Sequence, residues 1–478
     1  IQQCQELDLP APLIEFIQNS DQKTLCLYGG QHCMFKKRVT DDMLSQIATI
    51  LMQLNRPEMI LDFGNNQLTN QSLSTIIQLY NATHFIGLSL KQNSLTSDCF
   101  MLIDFLQICE LQYLDLSENP LGDLTEKIMS AIFQSQTLHF GISATERAFG
   151  SLQLLNLQNT DLTGRAAVIL AEFLKSRFCG LRELNIGSNQ LDEKQMDLVV
   201  ESVKFNTSLQ GLAMKSCNLT SQQAVQLVRN LVFTVPSEFY IDIQTENTLI
   251  LEKIEQMQKL QLRNGQMENM PKVLIKGKSV TPLQMLDLSS NPIGFDVCLQ
   301  LKEHLKLKEC HLKVLILNGV RIQNQGARAL AEGLVEYQLK NLTEKVFGFV
   351  DSEDGYDQDF KNVTLQNLLS KNSISTGFCL SLRRCAIQAQ GLSSLAVCCK
   401  LNQRIQLVLL EGNDFQVEYI KNMAFHAQLE WETTIEARSQ QKSLFKVDFG
   451  FERAVNEKGR LLQFRDQGRK IFGLGVFE

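Results

Sequence analysis

The stretch LRELNIGSNQL, residues 181–191, decides the fold of this chain. Its apolar side chains are Leu181, Leu184, Ile186 and Leu191, and Asn189 interrupts them. Alternate residues of a strand face opposite sides, so Leu184 and Ile186 are expected to point into one core. The asparagine must then have a partner inside that core, because buried polar groups need hydrogen bonds.

The same pattern recurs along the 478 residues of the chain. Close copies begin at Leu111, Leu152, Leu209, Leu283 and Leu312, and weaker copies begin at Glu58, Phe85, Gly377 and Ile405. Adjacent copies start 26 to 29 residues apart. A period in this range predicts a repeat architecture in which each unit shields the apolar side of its neighbour.

The second half of each unit has the periodicity of a helix. Ala167, Leu170, Ala171 and Leu174 follow the spacing i, i+3, i+4, i+7, and three other units repeat it. Thr163 and Ser221 stand where helix N-caps belong. We therefore predict an α/β solenoid of strand–turn–helix units, a horseshoe with parallel strands on its concave face and helices on its convex face.

The recurring asparagine is predicted to be structural. After each strand the chain turns sharply beneath the leucines, and an amide side chain can both donate to and accept from the buried turns. This predicted ladder contains Asn66, Asn93, Asn119, Asn189, Asn291 and Asn413. Thr160, Cys217 and Cys385 take the same place with a smaller partner group. Val320 cannot bond there, so its turn should be looser or differently bonded.

These motifs resemble the ribonuclease-inhibitor-like leucine-rich-repeat family. The resemblance is carried by the LxxLxLxxN/CxL strand half and by alanine-rich helix halves such as GARALAEGL after Gln325 and GRAAVILAEFL after Thr163. It covers about residues 20 to 425. Members of the family include ribonuclease inhibitors, innate-immune sensors, tropomodulin-type actin cappers, Ran GTPase-activating proteins and an axonemal subunit of the nexin–dynein regulatory complex. The resemblance implies binding to other proteins.

The repeats divide the chain into three parts. Residues 1–22 are predicted to form an N-terminal capping helix, residues 23–429 the solenoid, and residues 430–478 a C-terminal cap or extension. Inserts interrupt the solenoid near 134–151, 234–282 and 337–376. The second insert is either a surface loop or a degenerate unit with the segment FYIDI, 239–243, as its strand. Because the first residue is Ile1 and not Met, we expect the chain to be part of a longer protein.

Composition argues against several classes of function. The net charge of −6 gives no pull toward nucleic acid or an anionic membrane, and no apolar run is long enough to span a bilayer. The thirteen cysteines form no CxxC pair, which predicts buried thiols in a reducing, cytoplasmic location. The acidic loop at Asp351 places Gly355 fifth, and a calcium loop needs glycine sixth. We therefore expect no catalytic residues, no metal and no cofactor.

The concave face is the predicted protein-binding surface, because the residues flanking the central leucines point away from the core. The candidate residues are Tyr113, Asp115, Glu118, Arg182, Glu183, Asn185, Lys215, Asp287, Arg383, Arg384 and Glu411. A polar concave face would also serve a solenoid that binds nothing there, so both interpretations stand at this point.

The leading hypothesis is a non-catalytic scaffold that binds several subunits of a larger cytoskeletal complex, with the ciliary axoneme as the location that the resemblance suggests. One alternative is a GTPase-activating protein of the Ran-activator type. Its only comparable arginine is Arg38, and the acidic tail common in that family is absent. The other alternative is an inhibitor that binds an enzyme on the concave face, although the charges predicted there are mixed.

Overall fold

A computed structural model describes residues 9–19, 24–30, 38–54, 56, 58–140, 152–176, 179–234, 278–307, 310–337, 377–413, 433–434 and 446–448. The FYIDI segment, the acidic loop at Asp351 and most residues of the second and third predicted inserts lie outside these ranges. So does most of the predicted C-terminal part.

Twelve short strands of the described residues form one parallel sheet. They are β1 (Thr24–Cys26), β2 (Ile60–Asp62), β3 (Gly87–Ser89), β4 (Tyr113–Asp115), β5 (Leu154–Asn156), β6 (Glu183–Asn185), β7 (Gly211–Ala213), β10 (Met285–Asp287), β11 (Val314–Ile316), β12 (Phe378–Ser381), β13 (Ile405–Leu409) and β14 (Lys446–Asp448). Their spatial order is their chain order. The remaining two, β8 (Val232–Thr234) and β9 (Lys278–Val280), form a separate antiparallel ribbon.

The central leucines of the strands lie in register across the sheet. Leu184 pairs with Leu212, Leu212 with Leu286, and Leu286 with Leu315. All four are fully buried. Burial of one such side chain contributes roughly 1.5–3 kcal/mol. The predicted spine of aligned leucines is confirmed, and the fold is a leucine-rich-repeat solenoid.

Helices alternate with the strands and cover one side of the sheet. They are α1 (Ala11–Asn19), α2 (Asp41–Leu54), α3 (Ser72–Thr83), α4 (Met101–Ile108), α5 (Leu124–Phe140), α6 (Gly164–Lys175), α7 (Glu193–Val203), α8 (Ser221–Asn230), α9 (Asp296–Leu305), α10 (Gln323–Glu336) and α11 (Ala389–Leu401). Their apolar sides and the inward strand residues form one continuous core. Within the predicted N-terminal cap, α1 buries Leu13 and Ile17 in that core.

Capping residues fix the starts of the central helices. Thr163 caps α6 by accepting a hydrogen bond from the Ala166 backbone nitrogen, as predicted. The prediction for Ser221 is off by one residue, because Thr220 is the N-cap of α8 and forms a capping box with Gln223. Serine and threonine hydroxyls are both common N-caps, so residue type alone did not decide between these neighbours. Ser221 Oγ instead accepts from the Gly294 backbone nitrogen at 3.0 Å.

Two features of the sheet go beyond the sequence interpretation. β7 pairs directly with β10, so the sheet has no strand between them, and the ribbon of β8 and β9 joins the two ends of the intervening segment. β14 pairs with β13 in the same parallel register as the other strands. The sheet therefore continues past residue 429, where the sequence analysis placed the end of the solenoid.

Candidate protein-binding face

The ladder asparagine of the opening stretch bonds to its own turn and to the preceding one. Asn189 Nδ2 donates to the carbonyl oxygens of Leu157 at 2.7 Å, Ile186 at 2.9 Å and Gly187 at 3.3 Å. Its Oδ1 accepts from the backbone nitrogens of Thr160 at 3.2 Å and Leu162 at 2.9 Å. One side chain thus satisfies five buried backbone groups in two adjacent repeats.

The other five asparagines make the same kind of contact. Each Oδ1 accepts a backbone N–H from the preceding turn, and each Nδ2 donates to carbonyl oxygens of both turns. These residues are Asn66, Asn93, Asn119, Asn291 and Asn413. Unpaired buried backbone groups cost about 1–3 kcal/mol each, so the ladder supplies much of the specificity of the turns.

In three turns another residue takes the asparagine position, and its side chain and backbone supply part of the missing hydrogen bonds. Cys217 Sγ donates to the Ile186 carbonyl at 3.3 Å, and Cys385 Sγ donates to the Leu317 carbonyl at 3.0 Å. Thr160 Oγ1 reaches only the Leu157 carbonyl of its own turn, at 2.8 Å. The backbone carbonyls of two of these residues then take over as acceptors, because Gly122 donates to Thr160 O and Gln323 donates to Cys385 O. In all three turns the next residue is left-handed, and these are Asp161, Asn218 and Ala386.

The turn at Val320 closes on itself, in keeping with its predicted different bonding. The Val320 nitrogen donates to the Leu317 carbonyl at 3.2 Å, and the Ile322 nitrogen donates to the Val320 carbonyl at 2.8 Å. The preceding turn finds no side-chain acceptor at Val320, and its Ile293 nitrogen donates to the Asn291 carbonyl of its own turn at 2.8 Å. The valine side chain itself is fully buried.

A row of left-handed residues, which we name the turn row, precedes the ladder positions. Each member lies directly before a ladder residue or its replacement and has a φ angle between 50° and 71°. The members are Asn65, Gln92, Glu118, Asn159, Ser188, Ser216, Ser290, Gly319, Arg384 and Gly412. Sequence reasoning missed this row, because only two of its ten members are glycine, the residue that signals such a conformation.

The strands of the first half of the sheet present a polar concave face, which we name the polar half. Most of its outward residues are polar, with Ile60 and Leu154 as apolar exceptions, and the polar ones are Asp62, Ser89, Tyr113, Asp115, Asn156, Glu183 and Asn185. Several of these side chains accept a hydrogen bond from the backbone nitrogen two residues further on, as Asp115 does from Ser117 at 2.9 Å and Asn185 from Gly187 at 2.9 Å. Such bonds fold the chain into the turn after each strand.

This local bonding corrects part of the predicted binding surface. Asp115, Glu183, Asn185 and Asp287 are buried, with 8% exposure or less, and were predicted to be available to a partner. Asp287 Oδ1 accepts from the Ser289 nitrogen at 2.8 Å, so it serves its own turn as Asp115 does. The alternation of side chains along a strand predicts correctly that these residues face away from the leucine core. Neighbouring strands and turns nevertheless cover them.

Asp115 is the centre of the polar half. Its carboxylate accepts from Ser117 Oγ at 2.6 Å and from Asn156 Nδ2 at 3.0 Å, across to the next strand. Desolvation raises the pKa of Asp115 although these donors act against it. Desolvation, followed by the field of Asp115, raises the pKa of the adjacent Tyr113 well above its usual value. The phenol therefore stays protonated and can only act as a neutral donor or acceptor.

The remaining candidates reach the solvent to different extents. Arg182 and Arg384 are exposed, whereas Tyr113, Glu118, Lys215, Arg383 and Glu411 are partly buried. Two ion pairs flank the turn row at opposite ends. Lys91 Nζ lies 2.8 Å from Glu118 Oε1, and Arg383 Nε lies 3.7 Å from Glu411 Oε2.

The structure also places two further residues beside the predicted candidates. Tyr28 Oη donates to Gln92 Oε1 at 3.3 Å, beside the pair of Lys91 and Glu118. Tyr28 precedes the first recognised copy of the repeat, whereas Gln92 lies within the copy that begins at Phe85. Only the stacking of the repeats brings them next to each other.

The strands of the second half present an apolar concave face, which we name the apolar half. Its members are Ala213, Met285, Val314, Ile316, Cys379 and Leu407, with Leu409 packed against them. They form a buried cluster separate from the main core. The sequence analysis treated the whole concave face as polar. The signal was nevertheless present in the strand sequences MLD and VLI, whose outer residues are largely apolar.

The described residues offer little reactive chemistry. Eleven cysteines are free, and all but Cys26 are buried. Burial raises the pKa of Cys217, Cys379 and Cys385 to about 12, so these thiols are protonated at neutral pH and are poor nucleophiles. Within the same residues, no three His, Cys, Asp or Glu side chains are grouped to hold a metal ion. None of the described helices is both long and apolar enough to cross a membrane.

Comparisons with known proteins agree with this architecture. No family model matches the chain. The ribonuclease inhibitor of Mus musculus is 26% identical over 322 residues, which are 63% of this chain and 64% of the inhibitor, so the match spans less than two thirds of that relative. An internalin from Listeria monocytogenes is 15% identical and covers 69% of this chain and 87% of its own, with a TM-score of 0.32 that is too low to support an inference. By fold the chain is a leucine-rich-repeat solenoid, and by sequence it is similar to a ribonuclease inhibitor.

Proposed function

We propose that the chain is a non-catalytic protein-interaction scaffold whose partner contacts the turn row and the exposed side chains beside it. The observation that carries this proposal is the identity of two members of the row. Glu118 and Arg384 are held at φ angles of 58° and 53°, where glycine occupies the turns at Gly319 and Gly412. A bulky residue in this conformation costs roughly 1 kcal/mol or more. A charged side chain in this conformation favours a role for its charge: Glu118 pairs with Lys91 at 2.8 Å beside the row, and Arg384 is exposed to a partner.

The geometry of the turn row suits an extended protein surface. Neighbouring strands of a sheet are about 4.8 Å apart, so ten members extend over roughly 45 Å. Gln92, Asn159, Ser290 and Arg384 are exposed along it. Charges of both signs stand at its two ends, which favours a partner with complementary charges of both signs over a polyanion such as nucleic acid.

The finer proposal is that the partners are several subunits of a larger cytoskeletal assembly, such as the ciliary axoneme, in the cytoplasm or a cilium. It rests on the resemblance of the repeats to the axonemal member of the family. Repeat solenoids offer long surfaces that can contact more than one partner at once.

Cross-linking of the native assembly with mass spectrometry tests the proposed surface. Cross-links from Lys91 and Lys215, which flank the turn row, should reach partner subunits, and those from Lys194 on the helix side should not. The double variant Glu118→Lys, Arg384→Glu should release the partner, whereas the matched helix-side variant Lys194→Glu should retain it. Retention of the partner by the double variant, with an unchanged thermal midpoint, would contradict the proposal.

The inhibitor alternative has one observation in its favour, the similarity to a ribonuclease inhibitor. Against it, carboxylates predicted to line the concave face are buried, and Asp115 and Asp287 are occupied by bonds to their own turns. We therefore expect an excess of the chain to leave the activity of a basic pancreatic-type ribonuclease unchanged. Stoichiometric inhibition that is lost in Glu411→Lys would favour the inhibitor, because a basic enzyme is bound by carboxylates.

The GTPase-activating alternative rests on Arg38 alone, which is exposed in the structure. A single-turnover GTP hydrolysis assay separates it from the scaffold. A rate gain with the chain that disappears in Arg38→Ala would contradict the scaffold proposal.

A further inference from the structure

The outer side of α4 carries large apolar side chains in contact with the solvent. Phe100 is 53% exposed, Met101 43% and Ile108 56%. Phe100 has helical backbone angles and directly precedes the helix. Successive residues of a helix are rotated by about 100°, so these three side chains and Asp104 fall within one third of the circumference. We name these four residues the α4 patch.

The patch is not a displaced part of the core. Leu102, Phe105 and Leu106 already fill the buried side of α4. The adjacent helices expose polar residues instead, such as Ser74 and Gln78 on α3 and Asp123 and Lys127 at α5.

Elsewhere in the described residues, large exposed apolar side chains occur one or two to a helix, which is usual for a soluble surface. The α4 patch exposes on the order of 300 Å² of such side chains close together. That is the size at which a patch commonly has a binding role.

The charges around the patch indicate what would cover it. Asp98 and Asp104 are exposed, and neither is in an ion pair with another described residue. Lys127 Nζ lies 4.6 Å from the centre of the Phe100 ring, which shows that the ring accepts a cation on its face. A partner with apolar side chains at helical spacing and a basic side chain opposite Asp104 would cover the apolar residues and pair that carboxylate.

A second copy of this chain would fit less well. A twofold axis through the patch would bring Asp104 of one copy close to Asp104 of the other, and like charges in an apolar contact are unfavourable. A helix of a different protein has no such conflict. Helical partners recognise such surfaces through apolar residues at i, i+3, i+4 and i+7.

We propose that the α4 patch is a docking site for an amphipathic helix of another protein, with a lysine or arginine of that helix against Asp104. The site lies on the helix side of the solenoid and is separate from the turn row. It therefore goes beyond the proposed function and does not depend on it.

The probe is a pair of helical peptides of about 18 residues, long enough to hold helical structure. Both have leucine at i, i+3, i+4 and i+7, and one has lysines and the other glutamates beside the leucine stripe. Fluorescence anisotropy with the full chain should show that the lysine peptide binds about five-fold more tightly, which corresponds to roughly 1 kcal/mol for an exposed charge pair.

Variants assign the binding to the patch. Ile108→Ser should weaken the lysine peptide about ten-fold, and Asp104→Lys should invert the preference between the two peptides. Leu299→Ser, a matched change of an exposed apolar residue on α9, should have no effect, and neither should Arg182→Glu on the strand side. All variants alter exposed positions, and a thermal melt checks that each remains folded.

Several results would overturn the proposal. These are binding of neither peptide, binding that survives Ile108→Ser, and a preference that Asp104→Lys does not invert. Sedimentation that shows a dimer of the chain abolished by Ile108→Ser would assign the patch to a second copy instead.

Discussion

The two halves of the concave face share one backbone and differ in chemistry. β4 to β6 and β10 to β12 have the same parallel register and the same buried central leucines. The polar half nevertheless contains Asp115 and Asn156 joined by hydrogen bonds, and the apolar half contains Met285 and Val314 in a buried cluster. The repeat therefore constrains the inward residues only.

The turns differ less between the halves, because the asparagine contact occurs beside both of them. Asn189 lies beside the polar half and Asn413 beside the apolar half, and both bond to the preceding turn through Oδ1 and Nδ2. The comparison separates two layers of information. The leucines and the turns specify the solenoid, and the outward strand residues are free to specify what each half does.

The largest expected effect is on the apolar half. Val314→Asp places a carboxylate in a buried apolar cluster and should lower the free energy of unfolding by about 3–5 kcal/mol. Urea unfolding measures it. The matched variant Gln112→Asp, at an exposed position before β4, should change stability by less than about 0.5 kcal/mol. Equal effects of the two variants would show that Val314 is no better shielded from solvent than Gln112.

The pH dependence of stability should have opposite signs for a buried group behind the apolar half and one in the polar half. Burial lowers the pKa of His304, on α9 behind the apolar half, from 6.5 to about 4. Between these values the unfolded chain binds a proton that the folded chain does not, so stability falls as the pH decreases from about 6.5 to 4. The difference of about 2.5 pH units corresponds to at most about 3.4 kcal/mol.

The control for this titration is His304→Leu, which should remove that part of the pH dependence. In the polar half the shift has the opposite direction, because the pKa of Asp115 is raised. Its stabilising contribution is present below the unfolded pKa and is lost as the pH rises through the folded pKa. Asp115→Asn should remove this opposite contribution. The fall in stability that His304 causes between pH 6.5 and 4 should remain. A parallel slope in wild type and His304→Leu would contradict the assignment.

The ladder should matter equally in both halves. Asn189→Ala and Asn413→Ala each remove bonds to several buried backbone groups and should cost roughly 1–3 kcal/mol in total, because water can enter the space left by the amide and bond to part of them. Thr160→Val removes one hydroxyl with little change of shape and should cost about 1 kcal/mol or less. Thermal or urea unfolding measures all three. An unchanged midpoint for Asn189→Ala would count against the ladder as a source of stability.

The smallest expected effect is a gain in the turn row. Ser188→Gly beside the polar half and Ser290→Gly beside the apolar half relieve left-handed backbones and should each stabilise by about 0.5–1 kcal/mol. Ser74→Gly, in the exposed part of α3, should instead destabilise by a similar amount. A gain in only one of the two turns would show that the turns are not equivalent.

Sequence reasoning succeeded where one residue type has one physical role. The asparagine ladder could be read from spacing, because few side chains both donate and accept inside a turn. Sequence reasoning failed where the role of a residue depends on the strands and turns that stacking places beside it. Asp115 and Asp287 alternate outward as predicted, but their burial follows from the adjacent turns. The left-handed Glu118 and Arg384 carried no local signal, since their conformation is imposed by the repeat around them.

The sequence by itself determined the repeating structural unit of this protein. Its leucine spacing, helix periodicity and asparagines define a strand, a turn and a helix that can bury their apolar sides only by stacking. Only the tertiary structure decided which strands become neighbours across long intervening segments, and therefore which outward residues share a face. The physical reason is that backbone pairing depends on register alone and tolerates inserts of any length, whereas burial of an outward side chain depends on the strand that stacking places beside it.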